Sequence, residues 1–135
     1  MRKRFSPSFW MTISEEFATQ SSCKKAQVGC LIIKDRHLIS AGVNGTTSGD
    51  SNNCEDSDGQ TEHWRVHHAE RNALRRVTYE QAKGSDMYVT LAPCWECAKE
   101  IIGYGVAKLY YAQVKDEYEE VLEYLESMGV ETERT

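Results

Sequence analysis

The order of its apolar segments predicts a mixed α/β layered fold with a sheet of about five strands. Two observations carry this expectation. A pair of short aliphatic, β-branched runs near the start reads as a hairpin, and helical and extended patterns alternate from residue 63 onward. The 135 residues are enough for one substantial core and predict a single domain over 1–135.

Phe5 to Thr19 has helical periodicity, with Phe9, Ile13, Phe17 and Trp10 as an apolar stripe and Glu15 and Glu16 on the wet side. Ser6-Pro7-Ser8 suits its first turn. After a polar connector, Val28–Ile33 and Leu38–Val43 form the expected antiparallel hairpin around Lys34-Asp35-Arg36-His37, with His37 exposed at the turn. Residues 44–61, rich in Gly, Ser, Asn and Asp, read as one long loop, a length that is usually functional or disordered.

A helix is expected over 63–79, with Ala69, Ala73, Leu74 and Val77 inward, followed by a turn at Lys83-Gly84-Ser85. Met87–Leu91 is the third strand, stopped by Ala92-Pro93, and Trp95–Ile102 is a short helix ended by Gly103 and Gly105. Leu109–Ala112 is the fourth strand. Glu117–Met128 is an amphipathic helix with Val121, Leu122, Leu125 and Met128 inward, and Val130–Glu133 is a candidate edge strand.

The formal net charge is −5, with 40% hydrophobic and 27% charged residues. Proteins that grip polynucleotides show a basic face, because phosphate neutralisation carries most of that affinity, so the balance favours a small substrate. No apolar run reaches membrane-span length, and the basic start lacks a signal-like apolar core, so a cytoplasmic location is expected. The five cysteines then point to metal ligands or free thiols more than to a disulfide framework.

Chemistry concentrates in His68-Ala69-Glu70 and Pro93-Cys94-Trp95-Glu96-Cys97. His68, Cys94 and Cys97 are the three protein ligands of a catalytic zinc site, which leaves a fourth position for water. Glu70, two residues from His68, is placed to reach that water instead of the metal. It could take the water's proton, protonate a ring nitrogen and then protonate departing ammonia. A structural zinc knuckle or a redox C-x-x-C pair is the competing account, and either half of the pattern alone would be weak evidence. Together, H-x-E and P-C-x-x-C are the signature of zinc-dependent nucleobase deaminases.

Several longer stretches carry the same resemblance: Gln27-Val28-Gly29, Ala41-Gly42-Val43-Asn44-Gly45, His68–Ala73 and Met87–Lys99. On these the chain resembles the deoxycytidylate (dCMP) deaminases of the cytidine deaminase-like superfamily over nearly its whole length. Free-cytidine deaminases carry cysteine where His68 stands. The resemblance implies the three-layer α/β/α cytidine deaminase-like fold with a mixed central sheet, and hydrolysis of dCMP to dUMP and ammonia, which feeds thymidylate synthesis. It also implies a homohexamer activated by dCTP and inhibited by dTTP, with Mg2+ accompanying a bound triphosphate.

Carried over by residue, Asn44 would bond the sugar, Ala69 and Glu70 would meet the base edge, and Leu91 and Ala92 would line its face. A turn-forming Asn-Gly is the plain alternative for Asn44. Lys24 and Lys25 are candidates for the substrate phosphate, against the reading of a solvated basic pair. Some relatives carry a second, structural zinc, for which Cys23, Cys54, His63 and His67 remain; free thiols and exposed histidines are the alternative. A helical His67-His68 pair would diverge by about 100° and so not share one ion. The competing enzyme is a tRNA adenosine deaminase, which shares both motif halves but acts on a polyanion. A silent zinc module that only binds nucleotides is a third reading, which would have no use for Glu70.

Overall fold

The computed structural model describes residues 5–135. Its five-stranded sheet has the order β2-β1-β5-β6-β7: β1 (Gly29–Lys34), β2 (His37–Val43), β5 (Asp86–Leu91), β6 (Lys108–Gln113) and β7 (Glu131–Arg134). β1 runs antiparallel to both β2 and β5, whereas β5, β6 and β7 are mutually parallel. The fold is therefore the expected mixed sheet between helices, and β7 is the edge strand anticipated near the C-terminal end.

The pleat of β1 divides the core. Leu31 and Ile33 face α1 (Pro7–Ala18) with Trp10, Met11, Tyr88 and Tyr110, and Cys30 and Ile32 face the opposite layer. That layer holds α2 (Ala69–Leu74), α3 (Tyr79–Ala82), α4 (Trp95–Gly103) and α5 (Glu119–Ser127). The most buried residues of α1 are Trp10, Met11, Ser14 and Ala18; of the predicted stripe, Trp10 is buried and Ile13 and Phe17 pack partly buried against this core, whereas Phe9 is exposed and stacks on Phe5. Backbone proximity selects this face. A Cβ on Gly29 would lie 2.0 Å from the Ser14 carbonyl oxygen and 2.8 Å from the Ala18 nitrogen, so α1 rests on bare backbone there.

The predicted helix over 63–79 is corrected in three ways. Val66 and His67 form β4, antiparallel to β3 (Gly45–Thr46), so the long loop begins with a two-stranded ribbon. His68 is extended and N-caps α2, which ends by Arg75. Thr78 then starts the separate one-turn α3 through a reciprocal capping box with Gln81. The segment is broken because Val66 and His67 pair with β3 and the Thr78 capping box starts a new turn. Met128, expected inward on the last helix, is exposed, and Val121 and Leu125 carry its burial.

Short as it is, α2 is tightly held against β2. Ser40 Oγ donates to the Ala73 carbonyl at 2.7 Å, Asn72 Nδ2 to that of Val43 at 2.8 Å, and an Arg76 guanidinium N–H to that of Ala41 at 3.0 Å. A six-residue helix is marginal alone, so these ties and its packing must fix its position.

Candidate active site

The two chemistry-bearing segments meet where two helices begin. His68 caps α2, and Cys94 caps α4 immediately after β5. His68 Nδ1 lies 3.2 Å from Cys97 Sγ and 3.5 Å from Cys94 Sγ. The three donor atoms lie within 4.8 Å of one another. Two sulfurs and one imidazole nitrogen converging at this spacing fit a tetrahedral, borderline-soft cation with one position left open, so the residues present suit zinc.

The electrostatics favour such a site. Cys94 is held down to about 3, first by the hydrogen bond from the Cys97 thiol and then by that with His68. Cys97, with one shared proton between the sulfurs, is pushed far up by Cys94 and by burial. A buried thiolate–thiol–imidazole group of this kind is poised to lose its remaining proton to a metal. Glu70 is 4% exposed, and its burial raises the carboxyl from 4.5 to about 7, which the nearby His68 partly offsets.

A cavity of about 120 Å3 opens over this cluster. Ala69, Glu70, Leu91, Ala92, Cys94 and His68 form its floor, and Cys23, Ala26, Val28, Asn44 and Val66 part of its wall. Thr61, His63, Lys115 and Tyr118 also border it, and of these only His63 was singled out in the sequence. The signal for Lys115 and Tyr118 lies in topology. The parallel pairing of Leu91 with Gln113 runs the end of β6 alongside the Pro93-Cys94 turn, reinforced by the bond from Ala92 N to the Gln113 carbonyl at 2.8 Å.

The remaining predicted residues are placed unevenly. Asn44 is buried at the wall, where its Oδ1 accepts from Val28 N at 2.9 Å and its Nδ2 donates to the Ala26 carbonyl at 2.7 Å. The amide thus ties the start of β1 to the end of β2 while facing the cavity. Lys24 borders none of the described cavities around the cluster, and its backbone N–H, like that of Lys25, donates to Glu55 Oε2 at 3.0 and 3.2 Å respectively. Lys25 Nζ donates to Gln60 Oε1 at 2.8 Å.

The expected set Cys23, Cys54, His63 and His67 is not brought together. Cys23 and Cys54 are joined as a disulfide, against the expectation of ligands or free thiols, because their Cα atoms are held 5.1 Å apart where the loop folds back. The carboxylate of Glu55 lies beside them. His67 is turned away from them, its ring nitrogens 2.8 Å from Thr47 Oγ1 and 3.2 Å from an Arg75 guanidinium nitrogen. His67 and His68 do diverge, but as successive residues of extended backbone whose side chains alternate, not as helix neighbours.

A thiol–thiol–imidazole triad beside a buried carboxyl, at the mouth of a small cavity, defines a zinc-dependent deaminase-type centre. Residues 6–113 match the model of the cytidine and deoxycytidylate deaminase zinc-binding region, and the chain belongs to that family. A dCMP deaminase from the cyanophage S-TIM5, solved in complex with dCMP and dUMP, superposes with a TM-score of 0.89 at 35% identity, covering 98% of this chain and 100% of that one. ComE operon protein 2 of Bacillus subtilis is 32% identical over 131 residues, 93% of this chain and 69% of that protein. The deoxycytidylate deaminase of Saccharomyces cerevisiae is 29% identical over 132 residues, 91% of this chain but only 42% of the yeast protein. The chain thus spans less than half of that relative.

Proposed function

We propose that this chain deaminates dCMP hydrolytically to dUMP and ammonia. The observation that carries the reading is the convergence of His68, Cys94 and Cys97 on one another beside a cavity that His68, Cys94 and buried Glu70 line. The complex with dCMP and dUMP formed by the phage enzyme supports the choice of substrate.

His68, Cys94 and Cys97 would hold zinc, which supplies a Lewis acid that makes hydroxide available near neutral pH. Leu91, Ala92 and Ala69 enclose the pyrimidine and exclude bulk water, and Asn44 offers its remaining amide hydrogen and lone pair to the sugar. Glu70 takes the proton of the attacking water as oxygen bonds to C4 of the ring, and delivers it to the ring nitrogen beside C4. It then takes the remaining proton from the new C4 hydroxyl and passes it to the exocyclic amine, so that the C4–N bond breaks, ammonia leaves and C4 becomes a carbonyl. A carboxyl raised by burial toward neutrality is suited to both giving and taking that proton. The sugar and phosphate extend outward from the cavity.

A second zinc belongs to this reading in altered form. Reduction of the Cys23–Cys54 pair frees two thiols beside Glu55, whose Oε1 is buried without a hydrogen-bond partner, and these three form the candidate ligand group. Control by dCTP and dTTP with Mg2+, a hexameric assembly and a cytoplasmic location are included through the resemblance alone. Among the described residues no helix is long and apolar enough to cross a membrane. The decisive experiment is an ammonia-release assay on dCMP, CMP, deoxycytidine, dCTP and an RNA stem-loop, with dCTP and dTTP as additions. Release from dCMP is expected, and release only from the RNA would overturn the proposal.

A further inference from the structure

We infer that Lys115, on the loop after β6, binds the 5′-phosphate of the substrate and so selects a nucleotide over a nucleoside; this rests on the dCMP reading above. The cavity over the cluster encloses about 120 Å3, well below the roughly 300–1,000 Å3 of pockets that enclose a whole small ligand. It can take the pyrimidine, and the sugar and phosphate must leave it. A second cavity of about 490 Å3 adjoins it, and the two share Ala26, Val28, Leu91 and Lys115 as lining. Lys115 therefore stands where the substrate passes from one to the other.

Among the described residues Lys115 is the only lysine or arginine bordering the inner cavity. Its ammonium has no hydrogen-bond or ion-pair partner there, which leaves its charge available to a dianion. Lys25 borders the outer cavity together with Glu15, but its ammonium is engaged by Gln60. Asp116 and Glu117, next in the chain, border neither cavity, so a phosphate on Lys115 does not face them across either space. The lysine's backbone is also fixed. The pairing of β5 with β6 carries residue 113 beside Leu91, and the Lys115 carbonyl accepts from Tyr118 N at 2.9 Å. The anchor thus comes from the loop that continues the strand next to the one preceding Cys94, which holds the two ends of the substrate in a set relation.

The test compares the wild-type holoenzyme with Lys115→Ala and Lys115→Arg. It reads kcat/KM for dCMP and deoxycytidine, and inhibition by dUMP and deoxyuridine, with zinc content and thermal melting as folding controls. Loss of one charge-assisted bond predicts a roughly 10- to 100-fold fall in kcat/KM for dCMP and similar weakening of dUMP in Lys115→Ala. The nucleosides should shift by less than about threefold, and Lys115→Arg should retain most of the dCMP preference. Equal losses on nucleotide and nucleoside, or no loss on dCMP, would overturn the inference alone. A wild-type enzyme that releases no ammonia from dCMP overturns the functional reading and this inference with it.

Discussion

Gly42 of β2 lies directly against the Ala69 turn of α2: a Cβ on Gly42 would stand 2.5 Å from the Ala69 carbonyl oxygen and 2.6 Å from the Ala73 nitrogen. Both atoms are backbone, so the helix itself must move to admit a methyl group. Ala69 is flanked by His68 and Glu70, and the displacement is therefore transmitted to the proposed metal ligand and to the proposed proton carrier together. Gly42→Ala should cost about 1–3 kcal/mol as overpacking, a fall of roughly 5–10 °C in Tm. It should also lower kcat at least tenfold, since sub-ångström placement governs proton transfer. Thermal melting and steady-state kinetics check this; a variant with wild-type Tm and kcat would show that α2 does not rest on this contact.

Glu70→Gln tests the proposed proton carrier. The amide keeps the size of the side chain and removes the charge that burial disfavours, so folding and zinc content should be unchanged while kcat drops by about 10^2–10^4. Direct measurement of bound zinc beside turnover separates a catalytic role from a structural one. Retention of more than a tenth of wild-type turnover would remove Glu70 from the proton path.

The motif halves were legible in the sequence because each is local: C-x-x-C lies on one turn, and His68 and Glu70 are two apart. The hairpin was legible for the same reason, since its register follows from a tight turn. What the sequence obscured depended on contacts distant in the chain. Val66 and His67 leave the helical pattern because Gly45 and Thr46 pair with them from twenty residues away. Ser14 and Ala18 face the sheet on α1 because the bare backbone of Gly29 lies against them, a contact that the apolar stripe alone does not announce. Lys115 and Tyr118 carry no motif, and only the parallel register of β5 and β6 brings them to the site.

Zinc content responds to redox state if Cys23, Cys54 and Glu55 form the second ligand group. Protein prepared under oxidising conditions should carry about one zinc per chain, because the bonded sulfurs are no longer thiolates. Protein prepared with reductant should carry about two, falling to about one in Cys54→Ala. Elemental analysis of the three preparations decides it. A count of about one throughout would leave the catalytic triad as the sole site.

Removing zinc exposes the cost of burying Glu70 without a cation beside it. Its carboxyl is raised from 4.5 to about 7 by desolvation, so the folded state favours the protonated acid. The resulting contribution is fully present below about pH 4.5 and is lost as pH rises through about 7. Chelator-treated wild-type protein should therefore lose stability across that window by an amount of order 3 kcal/mol. Glu70→Gln has no such proton to lose, while His68, which titrates nearby, is common to both proteins. The difference between their urea-unfolding free energies at pH 5 and pH 8 thus reports the carboxyl together with its coupling to His68, which the Glu70 charge itself raises. Parallel pH profiles for the two chelated proteins would mean that Glu70 is not desolvated in the way its 4% exposure requires.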